Sequence, residues 1–270
     1  MQDVKNIKNG VSIVIPTKNS GNTLEYLLKS IYSSELQNIE VIIVDSNSTD
    51  KTKEICFKYD CRLIESSYGR SKSRNLGAQY ASYRNLLFLD SDMEVTTAVL
   101  SASINCYEYD ALIFKEITIG KNLIAKIRQY ERIGLFGTVY PEAPRCIKKN
   151  IFTNLSGYNE SMEGFEDLDL HSRLMKKDFN IQWDNAIIYH HEDDISFIKY
   201  LKKRRFYSLY LTSFKNMNPD YYAKLTSLKV RLKGLYNSAK SSNIIYSIIL
   251  IPMVISLRLF EILYSRFEKL

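Results

Sequence analysis

The chain has 270 residues, 45% of them hydrophobic, which is enough to bury one sizeable core with an appendage. Ten Gly, five Pro and no low-complexity run exclude a disordered protein. The four cysteines show no CxxC pair and no zinc-finger spacing, so we expect free thiols, with a Cys56–Cys61 disulfide as the alternative. The net charge is +7, and residues 199–243 alone hold eleven Lys or Arg against one acid, Asp220. This basic block predicts a surface for an anionic partner.

Short apolar runs alternate with helical patterns in the first part of the chain. The runs predict strands over 11–15, 39–44, 61–65 and 86–89. Helices are predicted over 22–33 and over 71–82. Between them, a helix capped by Thr49 or Asp50 is predicted to run through residue 58. Such alternation indicates βαβ units in a mostly parallel sheet, whose ligands bind at the carboxyl ends of the strands.

The pattern is looser after Met93. It predicts a strand over 110–119, helices over 123–134 and 167–177, and short strands over 181–183 and 186–189. The basic block has helical spacing, and residues 244–257 carry no charge. Fourteen residues are short for a membrane span, which needs roughly 20. We therefore expect an interfacial or re-entrant helix on anionic headgroups, with a buried C-terminal helix as the alternative. Residues 1–9 are polar and do not resemble a secretory signal, which favours a cytoplasmic catalytic part.

Carboxylates follow two of the predicted strands. Asp90 and Asp92 come directly after the strand over 86–89, where both can approach one divalent cation that neutralises a diphosphate leaving group. A D-x-D triplet alone is weak evidence, because solvated loops often contain one. Asp45 ends the second strand, where it either accepts from a nucleobase N–H or only shapes the turn.

Three further groups are candidates for binding or catalysis. Residues 69–75 place three cations around a helix start, which suits phosphate, or else form a solvated basic face. Glu166 and Asp167 begin a helix, where a carboxylate can accept the proton of an acceptor hydroxyl or simply decorate the helix terminus. Asp169 and Arg173 are expected to pair on one helical face. His190 and His191 are candidate metal ligands or hydrogen-bonded structural residues.

Taken in order, these blocks resemble the family 2 glycosyltransferases of the GT-A fold. The resemblance runs from Val11 to about Arg205 and rests on six blocks, at 11–19, 44–50, 73–78, 88–92, 155–160 and 164–170 with Arg173. It implies that Thr17 and Asp45 hold the nucleobase and Arg74 the ribose or phosphates. It also implies that Asp90 contacts ribose or metal, that Asp92 binds the metal, and that His190 or His191 lies near the diphosphate. Asp167 would be the general base, with Glu166 beside it. Lys18 and the pair Ser46-Asn47 depart from the common family pattern, but neither change removes an expected ligand.

The resemblance implies an α/β GT-A catalytic domain over 1–198, with a nucleotide-sugar half (1–110) and an acceptor half (111–198). A basic and apolar helical extension follows over 199–270. The expected activity is inverting transfer from a nucleotide diphosphate-sugar to a glycan or lipid-linked acceptor, assisted by Mn²⁺ or Mg²⁺, at the cytoplasmic face of a membrane. A polyprenyl-phosphate sugar synthase is the near alternative. A non-catalytic nucleotide-binding protein or a nucleic-acid binder is the distant one, although no nucleic-acid-binding signature appears. A dehydrogenase is excluded because no G-x-G-x-x-G follows the first strand. The sequence leaves the oligomeric state open.

Overall fold

The computed structural model describes residues 8–137, 143–192, 195–242 and 244–267. Most of the polar amino-terminal stretch lies outside these ranges. The chain divides into a first unit, residues 1–115 and 143–189, and a second unit, residues 116–142 and 190–270. The predicted boundary between a catalytic domain, 1–198, and a C-terminal extension, 199–270, stays a prediction.

The described helices and strands follow one another as follows: β1 (Lys8–Thr17), α1 (Leu24–Tyr32), β2 (Ile39–Asp45), α2 (Thr52–Cys56), β3 (Arg62–Glu65), α3 (Arg70–Tyr80), β4 (Tyr83–Phe88), β5 (Met93–Val95), α4 (Thr97–Ile104), β6 (Ala111–Ile119), α5 (Leu123–Leu135), β7 (Cys146–Lys148), α6 (Lys149–Asn154), α7 (Glu166–Lys176), β8 (Ile181–His191), α8 (Phe197–Met217), α9 (Pro219–Leu225), α10 (Leu228–Ser241) and α11 (Ile244–Phe267).

The strands of the described residues form one sheet in the order β3-β2-β1-β4-β7-β6-β8-β5. The predicted parallel pairing holds from β3 through β4, and β7 then pairs antiparallel with both β4 and β6. Two local predictions were wrong: the helix α2 ends at Cys56 rather than residue 58, and the two short strands near residue 185 are the single strand β8. The predicted capping by Asp50 is confirmed, because its Oδ1 accepts from the amide of Thr52, the first residue of α2, at 3.0 Å.

Alternation along β1 and β2 gives the first unit a hydrophobic core on each side of the parallel strands. Val11, Ile13 and Ile15 pack into one core with α1, whereas Val14 packs into the other. Gly77 of α3 belongs to the second side, where an added Cβ would meet a Val14 methyl at 2.4 Å. Only glycine therefore allows α3 to lie this close to the sheet, which fixes the position of α3 relative to the strand ends.

Helices α5, α8 and α11 supply most of the apolar core of the second unit, with Tyr130, Tyr200 and Leu250 among its buried side chains. The described C-terminal residues are helical, as predicted, over α8 to α11. None of the described helices combines the length and the apolar character that a membrane crossing requires. Contact with a membrane surface stays a prediction. The four cysteines are free, as expected.

Candidate active site

The side chains of Thr17 and Asp45 join the carboxyl ends of β1 and β2. The two residues are partners in the parallel register, and the Thr17 hydroxyl donates to Asp45 Oδ1 at 2.9 Å. The fully buried Asp45 carboxylate also accepts from the Ser48 amide at 2.9 Å and the Ser48 hydroxyl at 2.5 Å. Asp45 therefore shapes the loop after β2, as an aspartate at a turn commonly does. The nucleobase role of Thr17 and Asp45 stays a prediction.

Arg74 on α3 connects two parts of the first unit through its guanidinium group. The residue is 1% exposed. Its Nη2 donates to Asp90 Oδ1 at 2.6 Å, and its Nη1 donates to Glu166 Oε1 at 2.8 Å. Burial lowers the pKa of Arg74, but Asp90, Tyr158 and Glu166 together outweigh burial, and the net shift of the pKa is upward. A permanent positive charge thus holds the loop after β4 against the start of α7.

Asp90 and Asp92 lie in the turn between β4 and β5. One oxygen of each carboxylate lies within 4.8 Å of the other. Hard divalent cations prefer oxygen ligands, so this donor set fits Mn²⁺ or Mg²⁺. The second oxygen of Asp90, Oδ2, lies 3.4 Å from Arg145 Nη1, so two guanidinium groups orient this carboxylate.

Glu166 and Asp167 are the first two residues of α7, and they differ in exposure. Phe165, with φ at 65°, turns the chain into the helix. Glu166 is 2% exposed, whereas Asp167 is half-buried and accepts from the Leu168 amide at 2.8 Å. Burial raises the pKa of the Glu166 carboxyl, the charge of Asp167 adds to the rise, and Arg74 opposes it. The catalytic roles of both carboxylates stay predictions.

Hydrogen bonds between loops hold the polar ends of β1, β2 and β4 together. Ser20 Oγ, after β1, lies 2.7 Å from Ser91 Oγ, after β4. Ser46, after β2, donates to the Tyr68 carbonyl at 2.6 Å and so contacts the segment that leads into α3. Together with Arg74, these bonds gather the predicted residues at one edge of the first unit: Thr17, Asp45, Arg74, Asp90, Asp92, Glu166 and Asp167.

Asp169 and Arg173 form the predicted pair on α7. Arg173 Nε donates to Asp169 Oδ2 at 2.9 Å, and its Nη2 donates to the Gly157 carbonyl at 2.8 Å. Because Arg173 also reaches the Leu155 carbonyl, it fixes α7 to the loop before it. This confirms that the pair has a structural role.

His190 and His191 end β8 and belong to the second unit. His190 is buried; its Nδ1 lies 3.1 Å from Arg132 Nη1 and 4.0 Å from Glu116 Oε2. His191 is half-buried. Their side chains are of a type that ligates divalent cations, and their metal roles stay predictions.

Comparison with known proteins gives the family. Residues 12–140 match the family model described as Glycosyl transferase family 2. A glucosyltransferase of Escherichia coli, named for transfer from UDP-Glc to α-D-GlcNAc-diphosphoundecaprenol, is 36% identical over 109 residues, which is 38% of this chain and 43% of that protein. A β-1,3-glucosyltransferase of Campylobacter jejuni, named for GalNAc(5)-diNAcBac-PP-undecaprenol, is 33% identical over 34% of this chain and 32% of its own length. Residues 12–140, just under half of the chain, thus belong to glycosyl transferase family 2. The chain spans less than half the length of these two relatives.

Solved structures give the fold of this chain. TarS of S. aureus superposes with a TM-score of 0.57 at 18% identity, over 86% of this chain and 80% of that one. The mannosyltransferase PcManGT of Pyrobaculum calidifontis, solved with GDP-Man and Mn²⁺, superposes with a TM-score of 0.59 at 14% identity, over 96% and 84% of the two chains. Together with the sheet order, these confirm the predicted GT-A type of α/β fold.

Sequence reasoning missed one charged residue at the strand-end edge of the first unit. Arg145 directly precedes β7, and its carbonyl accepts from the Phe88 amide at 2.8 Å. Because β7 pairs antiparallel with β4, the Arg145 side chain reaches Asp90. No motif surrounds Arg145, so only the pairing of β7 with β4 could have shown its position.

Proposed function

We propose that this chain is an inverting glycosyltransferase that moves a sugar from a nucleotide diphosphate-sugar to an acceptor hydroxyl by metal-assisted single displacement. The observation that carries the proposal is the double hydrogen bond of Arg74. It joins Asp90, beside the candidate metal ligand Asp92, to the helix start that bears the candidate base. Family membership and the fold of solved nucleotide-sugar enzymes support the same reaction class.

The donor would bind at the carboxyl ends of β1, β2 and β4. In this proposal Thr17 and Asp45 hold the nucleobase, while Arg74 and Asp90 contact ribose or phosphate. The hydrogen bond between Thr17 and Asp45 supports the proposal, since a pair that is already in place loses little entropy on binding. One relative is named for UDP-Glc and one solved neighbour holds GDP-Man, which supports a nucleotide diphosphate-sugar as the donor, with either uracil or guanine as its nucleobase.

Asp92 and Asp90 would hold the metal, with His190 or His191 as a further ligand. The carboxylate oxygens of the first unit supply a hard donor set, and His190 directly follows the last residue of that unit in the continuous strand β8. A divalent cation, when bound, neutralises charge that develops on the diphosphate leaving group. The guanidinium groups of Arg74 and Arg145 hold Asp90 in one orientation for this task.

Of the two carboxylates that begin α7, Asp167 is the better base. Glu166 is buried and bonded to Arg74, so it positions its neighbour, whereas Asp167 is more accessible to an acceptor. Asp167 would take the hydroxyl proton while the acceptor oxygen forms its bond to the anomeric carbon. The bond from that carbon to the diphosphate oxygen breaks on the opposite face, which inverts the configuration.

A lipid-linked or surface glycan is the acceptor we propose, at the cytoplasmic face of a membrane. The two relatives described above are named for undecaprenol-diphosphate sugars, which supports a lipid-linked acceptor here. A polyprenyl-phosphate sugar synthase would use the same donor site and a bare lipid phosphate instead.

The test is a transfer assay with a panel of nucleotide-sugars, offering either a lipid-diphosphate glycan or a polyprenyl phosphate, with Mn²⁺ or with chelator. We expect metal-dependent transfer to the glycan, with the product's anomeric configuration opposite to that of the donor by NMR. Retention of configuration would contradict single displacement. Transfer only to polyprenyl phosphate would show that the chain is a polyprenyl-phosphate sugar synthase instead. Nucleotide binding without any transfer would show that it is a non-catalytic nucleotide-binding protein.

A further inference from the structure

Helix α10 presents an exposed apolar stripe that no residue of the described core covers. Leu228, Leu232 and Tyr236 are 69%, 56% and 68% exposed. Because they are four residues apart, they form one row along a single face of the helix. An exposed row of large apolar side chains on a helix marks a contact with another apolar phase or partner.

Cations border this stripe on both sides. At 100° per residue, Lys229, Lys233 and Lys240 lie along one edge of the row and Arg231 along the other. The helix contains no acid, and none occurs from residue 221 to residue 260. An apolar row bordered by Lys and Arg is the pattern of a helix that lies in the plane of a lipid interface.

The opposite face of α10 is fixed to α5, so the apolar stripe cannot turn inward. Ser238 Oγ donates to the Tyr130 carbonyl at 2.6 Å, and Asn237 Nδ2 donates to the Gly134 carbonyl at 3.2 Å. The two helices approach so closely that a Cβ at Gly134 would meet the Gly234 carbonyl oxygen at 2.0 Å. The orientation of the stripe is thus a property of the folded second unit.

We infer that α10 is a docking helix that places Leu228, Leu232 and Tyr236 into an anionic lipid surface, with its cations at the headgroups. Anionic lipid complements both features, since the acyl region receives the apolar row and each nearby Lys or Arg is attracted to the headgroups. In a dimer of two chains through α10, the cations that border the two stripes would repel one another. A nucleic acid would leave the apolar row without a partner. This inference does not depend on the proposed reaction.

The test is co-sedimentation of the full chain, without donor, with vesicles of phosphatidylcholine alone or mixed with phosphatidylglycerol. We expect binding to the mixed vesicles that weakens with added salt. The double variant Leu232→Gln with Tyr236→Gln should reduce the partition coefficient by about tenfold or more, since two large side chains lose their apolar environment. The control is Phe57→Gln, an aromatic of the first unit that is even more exposed, at 78%, and this variant should bind as the original chain does.

Charge is tested separately by Lys229→Gln with Lys233→Gln, against Lys58→Gln with Lys177→Gln as exposed lysines of the first unit. The α10 pair should lower the partition to mixed vesicles by roughly tenfold, and the control pair by far less. Unchanged melting temperatures would show that the variants fold. The inference would be overturned if the Leu232/Tyr236 double variant bound vesicles as well as the Phe57 control does. It would also be overturned if the chain bound duplex DNA more strongly than vesicles, or if it formed a dimer that only the α10 variants lose. If the original chain binds vesicles but transfers no sugar, only the proposed reaction is contradicted.

Discussion

Arg74 in the first unit and Arg231 in the second are both helical arginines, yet their surroundings differ completely. Arg74 is buried and bonded to Asp90 and Glu166, whereas Arg231 is exposed on α10 among other cations. A buried charge needs fixed partners because its desolvation is costly, so those partners fix its position. An exposed charge is screened and acts on whatever approaches the surface. The first arrangement suits chemistry and the second suits docking.

The largest effect should come from the proposed base. Asp167→Asn keeps the shape of the side chain but removes its ability to take a proton, so transfer should fall by about 10²- to 10⁴-fold. The melting temperature should change little. The control is Asp178→Asn, an exposed aspartate just after α7, which should leave the rate unchanged. Initial rates of transfer at saturating donor measure both variants. Full activity of Asp167→Asn would show that Asp167 is not the general base.

The next effect concerns stability at the buried charge. Arg74→Ala leaves Glu166 buried without its 2.8 Å partner, and the free energy of unfolding should fall by about 3–5 kcal/mol. Arg231→Ala should stay within about 0.5 kcal/mol of the original chain. Urea unfolding followed by circular dichroism compares the two. If Arg74→Ala and Arg231→Ala lowered the free energy of unfolding equally, the buried and the exposed arginine would not differ in their contribution to stability.

Asp92→Ala tests the candidate metal site. If the metal contributes about 3 kcal/mol through this ligand, the transfer rate at fixed Mn²⁺ should fall by about a hundredfold. Raising the Mn²⁺ concentration should recover part of the rate, which a purely structural role would not allow. Glu54→Ala removes an exposed carboxylate on α2 and should leave the metal dependence unchanged.

The smallest effect concerns the attachment of α10. Gly134→Ala places a methyl group against the Gly234 carbonyl and should cost about 1–3 kcal/mol of stability. Vesicle binding should weaken while donor binding stays normal, because the change lies within the second unit. A variant as stable as the original chain would contradict the close approach of α5 and α10.

The sequence predicted the regular part of the fold and most of the candidate site, because both depend on local patterns. Strands β1, β2 and β4 are short apolar runs that end in polar residues, so their carboxyl ends could be located from sequence alone. The three-residue strand β7 shows no periodicity, and its antiparallel insertion beside β4 is a long-range event. Arg145 was missed for that reason. Arg74 was predicted at the site, but its bonds to Asp90 and Glu166 join residues far apart in sequence, and no spacing rule could show them.

The most direct test of the account is a thermal-shift panel of nucleotide diphosphates and their sugars, with and without Mn²⁺. We predict that one nucleotide raises the melting temperature of the original chain and of Asp167→Asn only when Mn²⁺ is present. The same nucleotide should not stabilise Asp92→Ala. Stabilisation that is equal without metal, or equal in the Asp92 variant, would contradict the claim that the strand-end carboxylates hold a cation for the departing nucleotide.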